Sequence, residues 1–208
     1  MKCFVYYMIT SSNTINSSKT KSRLFIAFEI PPSAKNIINS TIALLKKCNF
    51  NIKWTSLNNL HLTLVFLGDV SRDRVSLLRE IIDFIAINNL EFDIEINDKL
   101  EFFGPISNPR VLLIGFSKGN KELSSIYSTI TRILSKHNFS LDEKKYLPHL
   151  TLGRFKSNKN VNLLQRNSNL NQYKTQKFKL QKITLFKSEL TSSGPIYTKI
   201  HEVKLKTL

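Results

Sequence analysis

The chain is poor in the residues that build metal and disulfide sites. It has two cysteines in 208 residues, Cys3 and Cys48, with no Cys-x-x-Cys pair and no histidine cluster beside either. A structural zinc site needs a denser set of thiolate and imidazole ligands, and no disulfide framework is indicated. Neither metal nor cofactor is expected. Such sparing use of cysteine fits a reducing, cytoplasmic setting. No apolar run approaches the roughly 20 residues of a membrane span, so no membrane partner is expected. Acidic residues are also scarce, 15 against 31 lysines and arginines, for a formal net charge of +16. This imbalance points to polyanionic partners, nucleic acid first. A Lys/Asn/Ile-rich composition produces the same total, so the distribution of charge says more. Residues 69–101 hold nine acidic and four basic side chains, whereas residues 144–187 hold eleven basic ones and no acidic one.

Histidine is scarce too, and its placement is the main signal. Two of the four histidines open the same tetrapeptide, His61-Leu62-Thr63-Leu64 and His149-Leu150-Thr151-Leu152, 88 positions apart. Both strings sit in apolar, strand-like surroundings. Alternate residues of a strand share a face, so each string shows His and Thr on one side and two leucines on the other. The leucines can anchor a core while imidazole and hydroxyl face a cleft. An imidazole can give or take a proton near neutral pH, and two facing one substrate can serve as acid and base. Threonine hydroxyls are short neutral donors suited to phosphoryl oxygens. Two His and two Thr around one centre read as a site for attack at phosphorus, without a nucleophilic side chain or a metal. Which histidine is acid and which is base stays open on this evidence.

Residues 1–22 read as a separate N-terminal extension, disordered or an over-long start. A short apolar run, Cys3 to Ile9, precedes a Ser/Thr/Asn/Lys stretch. A secretory signal needs a longer apolar region and a small-residue cleavage site, and a transit peptide would be Arg-rich. Residues 23–208 read as a single bilobal domain, because no flexible linker divides them. Strands are expected at Arg23–Phe28, at both motifs, at Phe92–Ile96 and at Arg110–Phe116. Two more are expected at Lys177–Ser188 and Pro195–Leu205, joined by a Ser192–Pro195 turn. A short extended piece surrounds Trp54. Helices are expected at Ser33–Cys48, from an N-cap at Ser71 to Asn88, and at Asn120–His137, with a polar loop over Asn158–Asn171. Each motif strand thus has its own long helix upstream, a weak internal duplication about a pseudo-twofold axis.

The motifs and their flanks resemble the 2H phosphoesterases, in particular the RNA 2′,3′-cyclic phosphodiesterases, also called 2′-5′ RNA ligases. The resemblance runs from Arg23-Leu24-Phe25-Ile26-Ala27 through both His-Leu-Thr-Leu strings, Phe66-Leu67-Gly68, Pro109-Arg110 and Arg154 to Gly194-Pro195-Ile196-Tyr197. It implies an α+β fold of two antiparallel sheets facing across a central cleft, with helices on the outer faces. It also implies metal-independent opening of a 2′,3′-cyclic phosphate, on RNA ends or on nucleotides, to a 2′-phosphomonoester. By position His61 corresponds to the proton donor and His149 to the proton acceptor. Thr63 and Thr151 correspond to ligands of the non-bridging oxygens, and Arg154 to a phosphate contact. A monomer is expected. Arg110 and Tyr197 read as structural support, Phe66 and Phe155 as core, and His137 and His201 as structural. The competing readings are a reversible 2′-5′ RNA ligase, the same chemistry run backward, and a non-catalytic basic RNA-binding module.

Overall fold

Two faces of one sheet are buried in different ways, and that places the site. Along β1 (Lys21–Glu29), Leu24, Ile26 and Phe28 point into the main core, where they meet helix residues such as Ile38, Ile82 and Ile130. Phe25 and Ala27 point the other way and are buried in a small second cluster with Phe186, flanked by Tyr197. Strand alternation thus gives β1 a helix-covered face and a cleft face.

The structure, a computed structural model, describes residues 20–105, 107–142, 144–159, 161, 176–192 and 194–207. The expected N-terminal extension, up to residue 19, and most of the expected 158–171 loop lie outside the described residues. After β1 come α1 (Pro32–Lys46), β2 (Ile52–Trp54), β3 (His61–Ser71), α2 (Val75–Asn88), β4 (Phe92–Phe103) and β5 (Val111–Lys118). Then follow α3 (Asn120–Lys136), β6 (Leu150–Phe155), β7 (Lys177–Leu180), β8 (Lys182–Leu190) and β9 (Pro195–Lys204). Each helix is amphipathic. α1 opens on Pro32, where a missing N–H is harmless, and buries Ala34, Ile38, Ile42 and Leu45. α2 buries Leu78, Ile82 and Ile85, and α3 buries Leu123, Ile126, Ile130 and Leu134.

All strand pairs are antiparallel, and the sheet runs in the order β7-β4-β5-β6-β3-β1-β8-β9, with β2 also on β6. The two expected sheets are therefore two lobes of one α+β sheet. They join through a single residue pair, Leu62 with Leu150, one from each motif. Beyond that seam β3 peels away, and β2 takes over the edge of β6 at Gly153–Phe155. The cleft opens where β3 and β6 part. Four motif leucines hold the seam: Leu62, Leu150 and Leu152 are fully buried and Leu64 nearly so. Burying each contributes roughly 1.5–3 kcal/mol.

Several expectations change. The Lys177–Ser188 strand is two strands broken at Gln181, because β7 pairs with β4 whereas β8 pairs with β1 and β9. Only one residue separates β7, at one end of the path, from β8, next to the other end, so the sheet curls until its ends approach. Backbone bonds from Lys206 to Asn89 and from Glu91 to Lys206 fasten that closure. The C-terminal strands thereby complete the first lobe rather than the second. The extended piece at Trp54 is a true strand, and β4 continues to Phe103. Ser71 makes no capping bond: it ends β3, paired with Lys21, and a 3₁₀ turn at Arg72–Arg74 intervenes before α2.

Candidate active site

The seam sets the geometry of the motifs. With Leu62 opposite Leu150 in an antiparallel pair, the same register carries Thr63 toward His149 and Thr151 toward His61. Those four side chains lie on the face opposite the buried leucines. The pseudo-twofold passes through the seam, so each imidazole has the other motif's hydroxyl across from it. Two bulges in the β1–β3 ladder, between Leu24 and Phe25 and between Ile26 and Ala27, bend β3 as it leaves the seam.

Both histidines are held the same way. His61 Nδ1 lies 2.6 Å from the Asn59 carbonyl, and His149 Nδ1 lies 2.7 Å from the Leu147 carbonyl. A carbonyl oxygen can only accept, so Nδ1 carries the proton in both rings. Among the described residues neither Nε2 has a hydrogen-bond partner. The Asn59 segment is pinned in turn, because Asn59 Nδ2 donates to the Pro195 carbonyl at 2.7 Å. The Leu147 segment is braced by its neighbour Tyr146. That ring stacks on Tyr127 of α3 at 4.1 Å, and its hydroxyl points at the Thr63 carbonyl, 3.4 Å away.

The surroundings of the two rings differ. His61 sits among Phe25 at 4.9 Å, Tyr197 edge-on at 5.1 Å and Phe186 at 6.3 Å between ring centres. Burial holds its pKa down at about 4, against the pull of the Asn59 carbonyl and with help from the nearby His149 and Lys35. Of the two rings, His149 lines the cleft beside the seam and His61 does not. His149 has a single ring neighbour, Phe103, edge-on at 4.9 Å. Its pKa is also lowered, by burial first and then by Arg154, while the Leu147 carbonyl and Glu101 push it up. Both rings are therefore mostly neutral at pH 7 in the free protein.

A cleft of about 850 Å³ opens beside the seam, lined by Thr63, Phe66, Arg110, Tyr146, His149 and Arg154 among others. Arg110, Lys144, Lys145 and Arg154 are exposed along it. Thr151 is half-buried on β6, opposite Leu113. Phe66 is not core: it is 64% exposed on the cleft wall, because the bulges turn it to the cleft side opposite Phe25. Phe155 does pack against the core. Tyr197 supports His61, and His201 binds Asp83 at 2.6 Å away from the cleft. His137 lies at the end of α3, its carbonyl bonded by Arg74. Sequence reasoning missed Asn59, Phe103, Tyr146 and the ring wall around His61. The position of Asn59, two residues before a motif histidine, was the one local signal. Among the described residues no cluster of three or more His, Cys, Asp or Glu side chains is placed to hold a metal. Among them, too, no helix is long and apolar enough to cross a membrane.

Comparison with known proteins shows the family and the fold. An RNA 2′,3′-cyclic phosphodiesterase of Aquifex aeolicus is 32% identical over 189 residues, covering 88% of this chain and 97% of its own. One from Methanocaldococcus jannaschii is 36% identical over 187 residues, covering 86% and 99%. The crystal structure of TT0787 of Thermus thermophilus matches with a TM-score of 0.72 at 19% identity, covering 89% of this chain and 98% of that one. Escherichia coli LigT complexed with 3′-AMP matches with a TM-score of 0.68 at 18% identity, covering 90% and 99%. Both structures share the fold. The family model described as LigT-like phosphoesterase matches residues 28–113 and 114–197, so that each stretch carries one motif. With both halves matched, the chain belongs to the LigT-like phosphoesterase family.

Proposed function

We propose that this protein hydrolyses 2′,3′-cyclic phosphates, on RNA ends or on nucleotides, to 2′-phosphomonoesters by paired-histidine acid and base catalysis. The observation that carries this reading is the seam, which sets two His-x-Thr strands side by side in antiparallel register, with neither Nε2 bonded to another described residue. The curated relatives bear the name of this activity. His149 Nε2 takes a proton from water as the water oxygen attacks phosphorus. The bond from phosphorus to O3′ breaks, and His61 Nε2 delivers a proton to that oxygen. Solvent then resets both rings. Thr63 and Thr151 donate to the non-bridging oxygens, and Arg154 adds positive charge. His61 is neutral when the cleft is empty, so the bound phosphodiester anion raises its pKa and brings the proton in with the substrate. Phe66 offers a nucleobase a stacking face, and the exposed cations attract the polyanion.

No metal enters this scheme. The same reading takes the expected domain of residues 23–208, extended to Lys21 at the start of β1, as one unit working as a monomer in the cytoplasm. The test is incubation with a nucleoside 2′,3′-cyclic phosphate in excess chelator, with the product identified. A 2′-monoester is expected. Turnover that needs an added divalent ion, or a 3′-monoester product, rejects the reading.

A further inference from the structure

The carboxylate of Glu101 stands where the second histidine needs a counter-charge. Glu101 lies on β4 opposite Leu113 of β5, and Leu113 lies opposite Thr151 of β6. Residues directly opposite share a face, so Glu101, Leu113 and Thr151 form one row on the cleft side. The next pair along the β5–β6 ladder, Ile114 with Leu150, carries Gly115 level with His149. Gly115 has no side chain there, and Glu101 uses the space. A methyl group on Gly115 would come within 2.7 Å of Glu101 Oε1. Among the described residues the carboxylate has no cationic partner, and its one hydrogen bond, from Asn97 Nδ2, is long at 3.5 Å. The equivalent carboxylate in the first lobe is Glu29, directly opposite His61. It is neutralised by Lys199 at 2.5 Å. One histidine therefore has an unspent carboxylate beside it and the other does not.

We propose that Glu101 is a positioning residue for His149, stabilising the imidazolium that forms when His149 accepts a proton from water. This rests on the reaction proposed above and adds a division of labour to it. The charged groups around His149 are Glu101 from β4, Arg154 from β6, His61 from β3, and Arg110, Asp142, Lys144 and Lys145 on the cleft rim, where Asp142 is paired with Lys144 at 2.9 Å. Of the two carboxylates, Glu101 is the one without a cationic partner among the described residues. An anion beside a phosphate site also repels the substrate. A purely structural residue would not combine help to the base with harm to binding.

The test uses the full chain with a nucleoside 2′,3′-cyclic phosphate. Glu101→Gln keeps the shape and removes the charge. Its kcat is expected to fall about tenfold with KM unchanged or lower, and the base limb of the pH profile to move down on the order of one unit. Gly115→Ala is expected to reproduce the direction by displacing the carboxylate, and adding it to Glu101→Gln should cause no further loss. Glu101→Asp should recover part of kcat. Independently of turnover, an NMR titration should show His149 titrating lower in Glu101→Gln, so a failure of the reaction itself is told apart from a failure of this role. Unchanged kcat and an unmoved His149 titration overturn the proposal, as does a rise in KM that accounts for the whole loss.

Discussion

The two histidine stations share a backbone device and differ in everything around it. Each ring donates Nδ1–H to the carbonyl two residues upstream, at 2.6 Å and 2.7 Å. His61 is walled by Phe25, Phe186 and Tyr197, whereas His149 touches Phe103 and faces charged groups and the open cleft. Duplication thus supplies two copies of one way of holding an imidazole. The shells set against it then make the copies unequal. A desolvated imidazole resists charge until an anion arrives, which suits a donor loaded by substrate. An imidazole beside a free carboxylate tolerates charge as it forms, which suits an acceptor.

The broadest way to break the comparison is to remove each ring in turn. His61→Ala and His149→Ala should each lower kcat by about 10²–10⁴-fold, measured as turnover of a cyclic nucleotide. A variant that retains wild-type turnover would show that its station does no chemistry. Acid stability should separate the two stations next. His61 is held at about 4 when folded and returns to 6.5 when unfolded. Below 6.5 the unfolded chain binds a proton that the native state refuses, so this stability is full above pH 6.5 and lost as pH falls toward 4. The loss is about 3 kcal/mol by pH 4. Urea unfolding of His61→Gln should show a smaller drop between pH 7 and pH 4 than the wild type. An equal drop would mean that the ring wall does not exclude water.

Much of the site was legible because its signal is local. Period-two alternation in His-Leu-Thr-Leu put both leucines in the core, and near-helical spacing of Ile38, Ile42 and Leu45 located α1. What stayed hidden depends on pairing between distant segments. Nothing near Gln181 says that β7 and β8 belong to opposite ends of the sheet, because their partners, β4 and β1, are far away in sequence. Phe66 sits in an apolar run and reads as core until two bulges against β1 turn it outward. The wall around His61 needs residues 25, 186 and 197 at once, which only the folded topology assembles.

Smaller changes sharpen the comparison. Asn59→Ala releases the carbonyl segment that orients His61, because its amide no longer holds the Pro195 carbonyl. It should lower kcat about tenfold with KM little changed, since small misplacements of a catalytic group are costly. Leu147→Ala should be nearly neutral, because Leu147 is exposed and offers His149 its backbone oxygen. Equal losses in both would erase the distinction between the two supports. The smallest effect is expected at Lys199, half-exposed between Glu29 and Glu202. Lys199→Met should cost no more than about 1 kcal/mol in urea unfolding. A much larger loss would mark that ion pair as central to the first lobe.

The proposed convergence of both rings on one phosphoryl group is best tested by NMR titration of the two motif imidazoles, with and without a nucleoside 2′-monophosphate. His61 and His149 should both titrate higher when the nucleotide is bound. A nucleotide that moves only one of the two motif histidines, or neither, would contradict a shared phosphorus between the lobes.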